Sequence, residues 1–164
     1  MSPEQFETLY NQLEKKLFNC AYRWVWNRDE AIDLVQEAFM KLWQKRKRIA
    51  PDAAQAYAFK TVINLASNRL RWKKVWDWVG LDGVQLLSKQ DDYARKQQEY
   101  LLKKHILELP EKMRQVLILH RFGELGYREI SNLLGIPEGT VASRNHEALK
   151  LLKRDMEKAN VEMG

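Results

Sequence analysis

The apolar residues of this chain recur every three or four positions through most of its length, which is the spacing of helices with one buried face. The clearest stripe consists of Phe6, Leu9, Tyr10, Leu13, Leu17, Cys20, Ala21 and Trp24. Helix-forming residues dominate the composition, and only 7 glycines and 4 prolines occur among 164 residues. We therefore predict an all-α fold, with the single cysteine, Cys20, as a packing residue.

The helical periodicity fails between about residues 76 and 92, where two glycines, acidic residues and mixed polarity occur together. This stretch is typical of a connection between domains. The sequence thus predicts two small helical domains, 1–75 and 99–164, joined by a flexible linker over 76–98. Each domain is small enough to be marginally stable alone.

Sequence motifs of enzymes are missing. The chain has no phosphate-binding glycine loop, no zinc-protease motif and no cysteine pair for zinc. His105, His120 and His146 are scattered, without partners at ligand spacing, and each is expected at the surface or at an interface. We predict a protein that is not an enzyme and has no catalytic residue, no metal site and no cofactor.

Membrane and export signals are missing from the sequence as well. No apolar run approaches the roughly 20 residues that cross a bilayer. The first residues lack the charged-then-apolar order of a secretory signal. We expect a cytoplasmic protein without membrane insertion.

The positive charge of the chain is concentrated in one segment. The formal net charge is +6, yet residues 45–74 alone contain nine basic side chains and one acidic side chain. A solvated helix surface would mix both signs, so this one-sided block favours a binding surface for a polyanion.

The same segment contains a repeated amide pattern over residues 56–74. Asn64, Asn68 and Arg71 share one helix face, and Lys60 lies one turn earlier. Asparagine is a poor helix former, so its repetition on an exposed face indicates a role for the amides. Amides and guanidinium groups hydrogen-bond base edges, and cations attract phosphates. The neighbouring cations are Arg69, Arg71, Lys73 and Lys74. For Trp72, Trp76 and Trp78 we favour a small hydrophobic cluster over base stacking.

Residues 126–152 have the pattern of a helix, a tight turn and a second helix. Gly135 ends the first helix at a position that often needs a positive φ, and Pro137 with Glu138 begins the second. Val141 and Ala148 face inward. The side chains left outward near the start of the second helix are Thr140, Ser143, Arg144 and either Asn145 or His146. In helix-turn-helix proteins this end meets base edges, so DNA reading is favoured over a plain helical hairpin.

Three segments in this order resemble the bacterial RNA polymerase sigma factors of the sigma-70 family, extracytoplasmic-function (ECF) type, over nearly the full chain. Region 2.2 of that family resembles RDEAIDLVQEAFMKLWQ, and regions 2.3 and 2.4 resemble AYAFKTVINLASNRLR. Region 4 resembles LPEKMRQVLILHRF together with YREISNLLGIPEGTVASR.

The resemblance implies partners and a role for each segment. Core RNA polymerase would be bound through its β′ clamp helices by Asp33, Gln36, Glu37, Phe39 and Trp43. The minus-ten promoter element would be recognised and melted by Lys60, Asn64, Asn68, Arg69, Arg71, Lys73 and Lys74. Region 4 would dock on the β flap and contact the minus-thirty-five element through Arg128, Thr140, Ser143, Arg144 and His146. The family also leads us to expect an anti-sigma factor as a partner.

Some positions depart from the family pattern. Ala142, Glu147 and Leu149 stand where many relatives carry Arg or Lys, and Tyr57 stands where a tryptophan is common. The alternative function is a stand-alone helix-turn-helix regulator that binds operators as a dimer. That alternative explains residues 126–152 but not the Asn-rich basic segment.

Overall fold

The computed structural model describes residues 1–79 and 93–163, with side chains described for 1–72 and 96–159. Within these ranges the secondary structure is helical and contains no strand. The helices are α1 (Pro3–Val25), α2 (Arg28–Gln44), α3 (Ala54–Val79), α4 (Tyr93–Glu108), α5 (Glu111–Arg121), α6 (Tyr127–Leu134) and α7 (Glu138–Met163), with a short 3-10 turn at Pro51–Ala53 before α3. The predicted all-α class is confirmed.

The first three helices pack against one another around a common core. Ser2 and Gln5 form a reciprocal capping box at the start of α1. The Asn27 side chain accepts a hydrogen bond from the Glu30 amide at 3.0 Å and caps α2. The largest fully buried side chains of this group are Trp24, Phe59, Leu17, Leu34 and Leu42. On α2 and α3, exposed residues such as Gln36 and Asn64 lie away from this core.

The last four helices form a second group in which α7 packs against α4, α5 and α6. Gly135 ends α6 with φ +68°, so the predicted positive φ is confirmed. Arg114 is buried at the start of α5, where its guanidinium donates to the Leu107 carbonyl at 3.2 Å. Burial lowers the pKa of Arg114.

The two groups also contact each other, through α1 with α5 and α3 with α6. Cys20 is fully buried, as predicted, and its thiol lies 3.7 Å from the Ile118 carbonyl. Gly123, which follows α5, lies directly against Cys20 and Phe59. A Cβ at this position would lie 2.7 Å from Cys20 Sγ and 3.2 Å from the Phe59 ring. The absence of a side chain at Gly123 thus allows α5 to lie close to α1 and α3.

Polar contacts surround this apolar contact. The Tyr22 hydroxyl donates to Glu99 Oε1 at 2.7 Å, and the Gln55 amide donates to Glu129 Oε2 at 2.8 Å. Burial, followed by the hydrogen bond and the charge of Glu99, raises the pKa of Tyr22. The first of these hydrogen bonds joins α1 to α4, and the second joins the start of α3 to the start of α6.

Helices extend into both ends of the predicted linker, since α3 continues to Val79 and α4 begins at Tyr93. The rest of that linker, residues 80–92, lies outside the described residues. None of the described helices is long and apolar enough to cross a membrane.

One histidine departs from its predicted environment. His105 is only 8% exposed, and its Nδ1 lies 3.6 Å from Glu108 Oε2 and 3.9 Å from Asp155 Oδ2. The expected surface position is wrong for His105, because α4 and α7 bury it and bring Asp155 to it from fifty residues away in sequence.

Candidate nucleic-acid interface

The α3 polar face consists of four side chains that are all exposed: Lys60, Asn64, Asn68 and Arg71. The other side of the same helix is buried and includes Phe59, Val62, Ile63 and Ala66. Four residues at spacings of three and four therefore present amides and cations in one row. Such a row can donate to phosphates and to base edges.

The cations next to this row differ in their surroundings. Arg69 is half-buried, and its Nη1 donates to the Glu30 carbonyl at 3.3 Å, so it also joins α3 to α2. Lys73 and Lys74 continue the helix, but their side chains lie outside the described residues. Trp72 is 61% exposed, which leaves its indole accessible at the end of the row. Trp76 and Trp78, the other two members of the predicted hydrophobic cluster, have side chains that lie outside the described residues.

The helix-turn-helix is built by α6, a three-residue turn and the first half of α7. The Gly135 and Ile136 amides both donate to the Ser131 carbonyl, and the Ser131 hydroxyl donates to the Ile136 carbonyl. Val141 and Ala148 are fully buried, so α7 packs into this turn by its inner side. The arrangement fixes the direction in which α7 leaves the turn.

The start of α7 presents what we call the α7 N-terminal face: Thr140, Ser143, Arg144 and His146. Ser143 and His146 are exposed, whereas Thr140 and Arg144 are half-buried. Arg128, on α6, is also exposed. Asn145 does not belong to it. It is 4% exposed, and its amide donates to the Tyr127 hydroxyl at 3.0 Å, so the outward alternative for Asn145 is wrong.

A third surface lies on α2. Asp33 and Gln36 are exposed and Glu37 is half-buried, with Lys41 3.8 Å from the Glu37 carboxylate. Trp43 is 37% exposed, and the Arg46 guanidinium stacks 3.7 Å from its ring centroid.

Two neighbours on α2 differ from the sequence interpretation. Phe39 is only 4% exposed and packs on Tyr10 at 4.6 Å, so it lies beneath the predicted contact surface and not on it. Met40 was missed, although it is 60% exposed. Helical spacing could have indicated that Met40 belongs to this surface. It follows Gln36 by four positions and Glu37 by three, and therefore lies on the same side of the helix.

Both helical groups match models of a single family. Residues 9–75 match the model described as Sigma-70 region 2, and residues 101–152 match the model described as Sigma-70, region 4. The chain belongs to the sigma-70 family. Its helix-turn-helix falls within the region 4 match, and the α3 polar face falls within the region 2 match.

Relatives of this sigma factor cover almost its whole length. The ECF RNA polymerase sigma factor SigW of Bacillus subtilis is 26% identical, over 93% of this chain and 89% of that protein. The ECF RNA polymerase sigma factor SigL of Mycobacterium tuberculosis is 27% identical, over 93% and 89%. These matches identify the chain as an ECF-type sigma factor.

Two solved structures share the fold of this sigma factor. CnrH, in complex with the cytosolic domain of CnrY, has a TM-score of 0.73 and 18% identity, over 93% of this chain and 88% of that chain. The sigma factor RpoE of Bartonella quintana, in complex with the anti-sigma factor NepR, has a TM-score of 0.71 and 22% identity, over 93% and 96%.

Proposed function

We propose that this sigma factor binds core RNA polymerase in the cytoplasm and directs it to promoters, with residues 1–75 as the region 2 domain, 76–98 as the linker and 99–164 as the region 4 domain. The α3 polar face reads and melts the minus-ten element. The α7 N-terminal face, with Arg128, contacts the minus-thirty-five element. Asp33, Gln36, Glu37 and Trp43 dock on the β′ clamp helices, with Met40 as an apolar contact among them.

The observation that carries the proposal is the α3 polar face. Two amides and two cations are exposed in one row on a helix whose other side is buried. A row of this kind suits single-stranded or partly opened DNA, where base edges become accessible. Trp72, exposed next to Arg71, offers a ring on which an unpaired base can stack.

The packing of the two helical groups adds a conformational step. Promoter elements two helical turns apart are separated by roughly 70 Å of DNA. A compact chain of 164 residues has a radius of gyration of only about 15 Å. The contact of α3 with α6 therefore has to open before both faces reach their elements, and docking on two polymerase surfaces supplies the free energy for opening.

Tethering by polymerase also explains how a weakly charged reading helix can work. Between Tyr127 and Lys150 three basic side chains are balanced by three acidic ones. Once the polymerase holds α7 next to the DNA, the effective concentration of this helix at its element is high, and binding no longer requires long-range electrostatic attraction. The free protein is accordingly expected to bind promoter DNA poorly.

The experiment is transcription in vitro with core polymerase, genomic DNA of the source organism and the full-length protein, followed by mapping of transcript starts. We expect a discrete set of starts that share two upstream elements and that core polymerase alone does not use. Starts that are unchanged by adding the protein would contradict the proposal.

Gel-shift titration with and without core polymerase tests the alternative of a stand-alone regulator. Tight, specific promoter binding by the free protein, with no gain from core polymerase, would favour a dimeric operator-binding regulator. A specific shift that requires core polymerase is expected for a sigma factor.

A further inference from the structure

A cleft of about 260 Å³ lies between α4 and α7, far along α7 from its N-terminal face. His105 and Glu108 enter it from α4 and Asp155 enters it from α7. None of these residues belongs to the proposed polymerase or DNA surfaces, so the cleft needs a separate explanation.

The imidazole of His105 points to a ligand in the cleft. The His105 side chain is 9% exposed, and neither ring nitrogen has a hydrogen-bond partner among the described residues. Its distances to the carboxylates of Glu108 and Asp155 are 3.6 and 3.9 Å, longer than the roughly 2.7–3.2 Å of a hydrogen bond. A buried imidazole without partners is costly, which indicates that a further group satisfies it.

The spacing of the donor atoms fits a metal ion. One donor atom from each of the three residues can be chosen so that all lie within 4.8 Å of one another. Donors bound at about 2.0–2.2 Å in a tetrahedron are roughly 3.4 Å apart. The two separations from His105, 3.6 and 3.9 Å, therefore need to close by only a few tenths of an ångström, and the three donor atoms, which lie within 4.8 Å of one another, come together by side-chain rotation of the exposed Glu108.

We propose that His105, Glu108 and Asp155 form a binding site for a divalent transition-metal ion of the Zn²⁺ type. One imidazole and two carboxylates are a donor set that zinc accepts, with water in the remaining position. The Glu108 side chain is 54% exposed, so the site opens to solvent on that side.

The surrounding cations weaken the attraction of the cleft for every divalent ion. Lys104 and Lys158 line the cleft, and Arg154 Nε lies 3.7 Å from the other oxygen of Asp155. These charges offset part of the attraction of two carboxylates. Binding thus depends on the imidazole, which Zn²⁺ favours and Mg²⁺ and Ca²⁺ do not.

The ion would link α4, which follows the linker, to α7, whose N-terminal face is proposed to contact DNA. Because α7 is continuous from Glu138 to Met163, fixing Asp155 against α4 also restrains the rotation of the α7 N-terminal face. Metal occupancy would thereby stabilise the region 4 domain, and this effect does not depend on promoter recognition.

Isothermal titration of the untagged full-length protein with ZnCl2 tests the site. We expect one equivalent to bind, with at least about tenfold weaker binding in His105→Gln and in Asp155→Asn, since even indirect supports of a metal site contribute tenfold or more. The matched controls His146→Gln and Glu157→Gln lie on α7 outside the cleft and should bind Zn²⁺ as the unmodified chain does. MgCl2 should give no comparable binding.

The variant Glu108→Gln tests the site with little risk of a folding defect, because the Glu108 side chain is exposed. Circular dichroism should show unchanged helicity for each variant. Zn²⁺ should also raise the thermal midpoint of the unmodified chain and not that of His105→Gln. Absence of Zn²⁺ binding would overturn the proposal, as would binding that persists at equal strength in His105→Gln, Glu108→Gln and Asp155→Asn.

Discussion

The α3 polar face and the α7 N-terminal face are both helix surfaces proposed to meet DNA, and they differ in charge. Residues 45–74 combine nine basic side chains with one acidic side chain, and the row on α3 is fully exposed. The α7 face lies in a segment without net charge, and its Arg144 is half-buried. Long-range attraction is thus assigned to α3, whereas contacts that discriminate between bases are proposed on both helices.

This difference predicts unequal consequences of mutation. Loss of a contact on α3 should impair promoter opening itself, because this face carries the proposed contacts to the melted minus-ten element. Changes on α7 should tune binding to upstream DNA, since polymerase holds that helix in place. Four experiments order these effects from largest to smallest.

The largest effect is expected for Asn64→Asp. The change replaces an amide donor by a carboxylate that repels DNA, at the centre of the α3 polar face. A good base contact contributes about 1–3 kcal/mol, so promoter-specific run-off transcription should fall roughly 10–100-fold. Asn11→Asp makes the same chemical change on the exposed side of α1 and should leave transcription unaltered. Equal losses of transcription in both variants would show that the effect is not specific to the α3 polar face.

A smaller effect of opposite sign is expected for Glu147→Arg. The substitution replaces a negative charge by a positive one and so raises the net charge next to the α7 N-terminal face by two. The holoenzyme should therefore bind upstream DNA several-fold more tightly and with a steeper salt dependence. Glu157→Arg adds the same charge about 15 Å further along α7, beyond the reading end, and should change little. If Glu147→Arg has no effect, this side of α7 does not approach the duplex.

The substitution Lys60→Gln measures how much the positive charge of the α3 polar face contributes to DNA binding. Removing one phosphate contact should lower the slope of log K against log salt by about 0.7–0.9, with a modest loss of affinity for promoter DNA. Lys15→Gln removes an exposed cation from α1 and is the control. An unchanged slope for Lys60→Gln would mean that this lysine does not neutralise a phosphate.

The smallest effect is expected for a substitution at Gly135, in the turn that sets the direction of α7. Gly135→Ala places a side chain at φ +68°, which should cost about 1 kcal/mol and lower the thermal midpoint by roughly 2–4 °C. At Gly139 an added Cβ meets no atom within 4 Å, so Gly139→Ala should keep or slightly raise that midpoint. Identical midpoints for the two variants would show that the turn tolerates an ordinary residue at Gly135.

Local patterns predicted most of the fold. Apolar spacing defined the helices, and Gly135 between two apolar runs predicted the left-handed end of α6. Asn145 could have been assigned inward by the same spacing, since it lies four residues after Val141 and three before Ala148. Its polarity suggested exposure, but the Tyr127 hydroxyl satisfies its amide in the interior.

Contacts between distant segments could not be predicted in this way. His105 and Asp155 meet only because α4 and α7 pack together, and nothing near His105 in the sequence indicates a partner on another helix. The approach of Gly123 to Cys20 depends on how the two helical groups fit, which helical periodicity does not encode. Burial of Phe39 beneath the α2 surface likewise depends on the aromatic residues of α1.

Cys20 gives the chain an internal reporter of its own opening. It is the one cysteine in the sequence, it lies fully buried against α5, and burial raises the pKa of its thiol, so the reactive thiolate is scarce while the helical groups stay together. Separation of α1 from α5 would expose the sulfur to water and to alkylating reagents. The rate at which a maleimide labels the protein, with and without core polymerase, therefore times the release of one domain from the other without any engineered label.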